Sequence, residues 1–374
     1  MKNFYSIILL LIPVAVCAQK NVDLDRFNFT VQYRALPAMK LDSTYHTYNV
    51  EIETTKLMQP LLSQMEPGKT VWLEGWRKLE TQGHLTIHVK LDDILPESVS
   101  EKERIENITD KYGKITGTRT FYYEEVIYTF AATASIDDYK GVHIMDQVLA
   151  DRNYKQTYKS PEFPARALAQ GYFTINALCV TNNLYQNCVN RAMQYLSQTI
   201  TEDFGFRVAT VNDFMWIVDS KKDPEYTAHR QAFLKFSDVL FNMTASTPID
   251  EARLQLKPVI DYFESIKKKY TSTGKHDRKI RYASYYNLAV LYYYLDDPQA
   301  MMNQATGLEL NDFDASDARG FKQSAERLKN LFEQTNIYTR HFAIDTSSFK
   351  GPYEKDAATT TTTTTVPVKK YRHF

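Results

Sequence analysis

The apolar residues of this chain change their spacing near residue 160, and the change limits what can form on either side of it. Before that point they recur at every second position. "FNFTVQYR" alternates Phe27, Phe29, Val31 and Tyr33; "TYNVEIE" alternates Tyr48, Val50 and Ile52; "HLTIHVKL" alternates Leu85, Ile87, Val89 and Leu91. A strand sends successive side chains to opposite faces, so this pattern predicts half-buried strands. "FYYEEVIYTFAATASIDDYKGVHIMDQVL" reads as a strand, a turn at 138–141 and a second strand. "PESVSEKERIENITDKYGKITG", residues 96–117, is polar and charged and reads as a mobile excursion between strands.

After residue 160 the apolar spacing is three to four. "ARALAQGYFTINALCVTNNLYQNCVNRAMQYLSQTI" predicts a helix–turn–helix interrupted at Asn182 and Asn183. "PEYTAHRQAFLKFSDVLFNM" and "PIDEARLQLKPVIDYFESIKKKY" predict a second helical pair. Pro248 precedes an acidic first turn, Asp250 and Glu251, as helix starts prefer. Pro258 is expected to kink the second of these helices or to mark its start. Residues 277–310 predict a third pair and 315–335 a last helix. The fold class is therefore α+β in two domains: an antiparallel β-sandwich-like domain at 19–155 and a helical domain at 160–348.

The ends read differently. Lys2, an apolar run from Phe4 to Val16, and Val16-Cys17-Ala18 fit a secretory signal spanning 1–18 and cleaved near Ala18/Gln19. The run is too short to span a bilayer. A lipoprotein anchored through Cys17 is disfavoured by Val16, where a small residue is wanted. The expected location is periplasmic or secreted. There, Cys179 and Cys188 are a possible disulfide, because a turn at Asn182-Asn183 would set them opposite one another. Residues 349–374 read as a disordered tail: seven consecutive threonines, 359–365, can neither collapse nor hold a helix.

"YYNLAVLYYYLDDPQAMMNQA", 285–305, holds five of the chain's 26 tyrosines within ten positions. Tyr285, Leu288, Ala289, Tyr292 and Leu295 fall on one helical face. Asp297 is placed to cap the next helix, with Pro298 as its first residue. Tyr285, Leu288, Ala289 and Tyr292, followed by Ala300 and Gly307 seven residues apart, resemble the spacing of a tetratricopeptide repeat, clearest at 282–310. The resemblance implies a tetratricopeptide-like array of helical hairpins that binds partner segments in a concave groove. It places Tyr286, Tyr293 and Tyr294, off the main stripe, as partner-binding residues. The whole chain also resembles exported bacterial proteins that join a β-rich front to such an array, which carries no activity with it.

Little else points to chemistry. H-E-x-x-H, G-x-S-x-G, C-x-x-C and a phosphate loop are all missing from the sequence, so no catalytic residue, metal or cofactor is expected. His84 and His88 would lie about 13 Å apart on a strand, too far to share a metal. "NDFDASDARGFKQ" has the acidic start of a calcium loop but Asp317 where glycine is needed and Gln323 where the bidentate glutamate belongs; Ser316 or Asp317 is better read as a helix cap. Lys+Arg and Asp+Glu are both 45, so no overall field steers the chain to nucleic acid. One basic cluster stands out, with Lys267, Lys268, Lys269, Lys275, Arg278 and Lys279 as candidate anion-binding residues. The expected function is an exported, non-enzymatic adaptor or assembly protein of a bacterial cell envelope with a protein partner. Tyr371 and Phe374 would serve as partner contacts in the tail. The alternative is glycan or lipid binding by the aromatic β domain, with Trp72 or Trp76 exposed, assisted by the basic loop 267–282. A third reading is a hydrolase built on two buried carboxylates.

Overall fold

A computed structural model describes residues 22–354. The signal segment, Cys17, Tyr371 and Phe374 lie outside the described residues. The elements in chain order begin with β1 (Leu24–Arg34), β2 (Thr47–Thr54), α1 (Gln59–Met65), α2 (Pro67–Thr70), β3 (Arg77–Lys78), β4 (Leu85–Leu91), β5 (Leu95–Thr109) and β6 (Ile115–Thr129). There follow β7 (Ala132–Asp138), β8 (His143–Ala150), β9 (Gln156–Lys159), α3 (Arg166–Phe204) and β10 (Val208–Val218). The last five are α4 (Tyr226–Asn242), α5 (Ile249–Lys269), α6 (Lys275–Tyr294), α7 (Pro298–Leu310) and α8 (Ala315–Thr335). The chain is thus mixed α+β, and no described helix is long and apolar enough to cross a membrane.

Two compact units form, and each draws residues from both sides of the change in spacing. The first joins residues up to 36 with 208–343. Its only sheet among the described residues is a ribbon in which β1 pairs antiparallel with β10, from Leu24 opposite Val218 to Arg34 opposite Val208. Phe29 and Val31 of β1 share a core with Met215 and Ile217 of β10, Phe236 and Leu240 of α4, Leu256 and Phe263 of α5, and Leu288 and Leu291 of α6. Helices α6 and α7 make the hairpin that the sequence announces. Asp297 caps α7 by accepting from Ala300 N at 2.8 Å, and Pro298 is its first residue. Helix α8 is capped by Asp314, which accepts from Ser316 N, rather than by Ser316 or Asp317. Pro258 sits inside α5, which starts at Ile249.

The second unit joins 37–207 with the residues from 344 onward. A five-stranded sheet has the order β3-β2-β4-β7-β8, and a three-stranded sheet has β5-β6-β9. The front is not wholly antiparallel as expected: β2 runs parallel to both β3 and β4. The chain crosses through α1 and α2 between β2 and β3, and a parallel pair needs such a crossover. Leu85, Ile87, Val89 and Leu91 of β4 share one core with Tyr128 and Phe130 and with Tyr185, Val189, Met193, Leu196 and Ile200 of α3.

Several local expectations are corrected. Residues 96–117 are not a loop: β5 and β6 form a long hairpin, and Asp110 Oδ1 accepts from the amides of Tyr112 and Lys114 to close its turn. No break occurs at Asn182-Asn183, and α3 runs unbroken for 39 residues. Asparagine costs a helix well under 1 kcal/mol relative to alanine. The buried stripe of Val180, Tyr185, Cys188, Val189 and Ala192 continues straight through it. Cys179 and Cys188 therefore stand nine residues apart on one helix, about 13 Å by its rise, and both are free thiols, one exposed and one buried. Residues 349–354, placed with the tail on sequence grounds, are held: Phe349 stacks on His46, and Glu354 pairs with Arg77 at 2.8 Å.

Candidate functional site

The tyrosines of α6 divide by depth. Tyr286 and Tyr294 are core residues, not groove residues, which corrects their assignment to a partner surface. Tyr286 packs against Phe214, Trp216, Tyr282 and Phe321. The Tyr294 ring meets Phe29 edge-on, and its hydroxyl donates to Asp213 at 2.8 Å. Burial raises the hydroxyl of Tyr294 far above its ordinary value, and the Asp213 carboxylate adds to the shift. The stripe off which these residues were thought to lie is wider than one face, because α6 is covered by β10 as well as by α5, α7 and α8. Tyr293 alone of the three reaches the surface.

Tyr293 lines a groove of about 400 Å³ with Tyr33, Ala35, Leu36, Ser324, Arg327, Leu328, Leu331 and Arg340. The groove gathers the end of β1, the last turn of α6, one face of α8 and the segment after it. Arg340 organises it. The guanidinium lies 4.3 Å from the Tyr33 ring and 4.5 Å from the Tyr293 ring. Its Nε donates to Asp296 Oδ1 at 2.6 Å, and its backbone N–H donates to Asp296 Oδ2 at 2.6 Å. Asp296 directly follows the C-cap residue of α6 with φ of 55°, a left-handed conformation that turns its carboxylate inward. Thr339 adds a further hydrogen bond to it. The pair is buried, with only 3% of the Arg340 side chain and 0% of that of Asp296 exposed, so the two tyrosines are braced by a neutralised cation. Arg327, in contrast, is exposed and, among the described residues, bonds within its own helix to the Gln323 carbonyl and the Ser324 hydroxyl. Among the described residues, no carboxylate or imidazole lines the groove.

The basic cluster is met by polar side chains both near and far along the chain. Lys267 donates to Glu264 and Gln304, Lys269 to Glu225, and Arg278 to Asp312. Lys268 and Lys275 are exposed, and Lys279 is half-buried. Two buried carboxylates lie here, unmarked by any motif. Glu225 accepts from Tyr270 and Lys269 on Oε1 and from Tyr262 on Oε2. Burial pushes its carboxyl up, but the hydrogen bonds from Lys269, Tyr270 and Tyr262 outweigh this and hold it below its usual value. Asp223 holds His276 Nε2 at 3.2 Å, and Asp277 holds the other ring nitrogen at 3.0 Å. With all these oxygens occupied, the cluster ties α5 and α6 to the loop before α4.

The remaining expectations sort quickly. His84 bonds Thr47 and stacks on Tyr45, while His88 faces outward between Glu51 and Asp137. Among the described residues, no group of three or more His, Cys, Asp and Glu is placed to hold a metal ion. Trp76 is buried and donates to the Phe204 carbonyl, whereas Trp72 is 44% exposed. Sequence reasoning missed Tyr33, Arg327, Leu331 and Arg340. They are scattered over 300 positions, and no local pattern joins them. No family model matches the chain, and no curated protein matches it.

Proposed function

We propose that this chain is an exported, non-enzymatic protein-interaction protein of a bacterial cell envelope, an adaptor or assembly factor. Its helical unit would hold a partner segment in the groove at Tyr33 and Tyr293. One observation carries the reading: two surface tyrosines are fixed in place by the buried Arg340–Asp296 pair beside apolar Leu328 and Leu331. Rigid aromatic side chains bind at low entropic cost, and partner-binding hot spots are rich in tyrosine and arginine. The absence of acids and histidines from the groove lining suits binding rather than proton transfer. The helices from α4 to α8 are read as a tetratricopeptide-like array. The two sheets that share a core in the other unit are read as a sandwich-like front. After export and cleavage near Ala18/Gln19 the protein would act in the periplasm or medium, with Tyr371 and Phe374 as a second contact.

Crosslinking in intact cells followed by mass spectrometry tests this. Tyr293→Ala and Arg327→Glu should each lower recovery of the partner about tenfold or more, as truncation of a hot-spot residue does. Recovery equal to wild type in both variants would remove the groove from the account.

A further inference from the structure

The hairpin of β5 and β6 outruns everything that packs on it. Strand β9 pairs with β6 only from Glu125 to Tyr128, and one further bridge joins Tyr122 to Phe163. Arg104 is anchored to Glu162, and Arg166 reaches Glu101. Beyond Arg104 and Phe121, no other described strand pairs with the ribbon, which continues to its turn over about 20 Å at the strand rise.

An extension of this kind is expected to be polar, because a two-stranded ribbon in water has little to bury and an apolar edge invites aggregation. This one is not. Ile105 is 60% exposed, Ile108 44%, Tyr112 81% and Ile115 56%. A Cβ added to Gly113 at the turn would meet nothing within 4 Å. The charge is also uneven. The carboxylate of Asp110 is turned back onto the amides of Tyr112 and Lys114, so Lys111 and Lys114 are the charges the tip presents outward. Lys111 lies 4.9 Å from the centre of the Tyr112 ring.

We propose that this tip docks into the interfacial layer of an anionic phospholipid bilayer. Isoleucine side chains on a projecting element gain by entering the acyl boundary, tyrosine prefers the headgroup level, and lysine is drawn to anionic headgroups. The three chemistries occur together within the eight residues 108–115. Of the neighbouring acids, Glu106 lies 3.7 Å from Arg104 and Asp110 accepts from the turn amides, which softens their opposition to the approach. The tip belongs to the other compact unit, and its test does not depend on the groove.

The experiment is co-sedimentation of the full chain with vesicles of equimolar phosphatidylglycerol and phosphatidylcholine, and with vesicles of phosphatidylcholine alone. Binding is expected to the anionic vesicles and to be weakened by high salt. Lys111→Gln with Lys114→Gln should lower the partition coefficient roughly 20- to 30-fold, from about 1 kcal/mol per lysine near the surface. Tyr112→Ser with Ile115→Ser should lower it at least as far. Tyr112→Trp should show a blue-shifted emission on mixing with anionic vesicles. The side chains changed are exposed, so circular dichroism and melting should match wild type. The proposal is overturned if the anionic vesicles bring down no protein, if both double variants bind as wild type does, or if the Tyr112→Trp emission stays put. It is equally overturned if that emission shifts with protein concentration without vesicles, which would make the tip a contact between copies of this chain.

Discussion

The ring of Tyr285 lies so close to the backbone of Gly307 that a Cβ there would overlap Tyr285 Cε1. Two helices approach at this point, with an aromatic knob on α6 filling the space that a side chain on α7 would need. Helix propensity alone favours alanine over glycine by about 1 kcal/mol. The contact reverses the preference. Gly307→Ala should therefore destabilise the protein by about 1–3 kcal/mol, the usual cost of overpacking. In a urea titration, Tyr285→Ala combined with Gly307→Ala should cost less than the sum of the two single changes. A Gly307→Ala variant more stable than wild type would show that the helices can part without penalty.

Acid should weaken the fold through His229. The ring is fully buried against Tyr262 and Phe263, with no hydrogen-bond partner on either nitrogen among the described residues, and burial lowers it from 6.5 to about 4. Between those two values the unfolded chain takes up a proton that the folded chain refuses. Stability therefore falls as pH drops from 6.5 to 4, by up to about 3 kcal/mol, and this contribution levels off below 4. His46, His84 and His341 are lowered in the same direction, chiefly by burial, so His229→Leu should flatten the slope without abolishing it. Denaturation midpoints at several pH values check this, and an unchanged slope in the variant would rule out His229 as the source.

Removing Asp296 should be costly in two ways. Asp296→Ala strands the Arg340 guanidinium in the interior, and breaking a buried pair from one side typically costs about 3–5 kcal/mol. The same change releases Tyr33 and Tyr293 from their brace. A variant of this kind should lose stability in denaturant and partner recovery in crosslinking. Arg327→Glu, which touches no core residue, should lose recovery alone.

The two cysteines should report the continuity of α3. Cys179 should react with a thiol reagent in the native protein. Cys188 should react only after denaturation, because burial raises its thiol above the ordinary value. Mass spectrometry of the denatured, unreduced protein should find two labels. A single species lacking both would mean that the helix breaks at Asn182-Asn183 and the bridge forms.

What could be read from the chain followed the range of the interaction. The capping of α7 by Asp297 and the turn at 138–141 depend on residues within a few positions, and both form as their sequence predicts. Helix α3 misled because a short polar interruption is cheap locally, and what overrides it is a core assembled from β4 and β6. Strand β10 went unread between two helical stretches, since its reason to exist is β1. The groove was half legible. Tyr293 could be flagged from its place on α6. Tyr33, Arg327 and Arg340 could not, because Asp296 and Arg340 meet across 44 positions and β1 arrives from the far end of the chain.

The β1–β10 ribbon also sets an order of events during synthesis. Thr30 and its partner Asn212 are 182 residues apart. At roughly 5–20 residues per second, the first strand leaves the ribosome about ten seconds or more before the second exists. Over that interval Phe27, Phe29, Val31 and Tyr33 have no core to enter, while residues 37–207 of the other unit are being made. A nascent chain of this design carries an unclaimed apolar strand at its leading end, and shielding that strand by a chaperone until Val208 has emerged would raise the yield of folded protein.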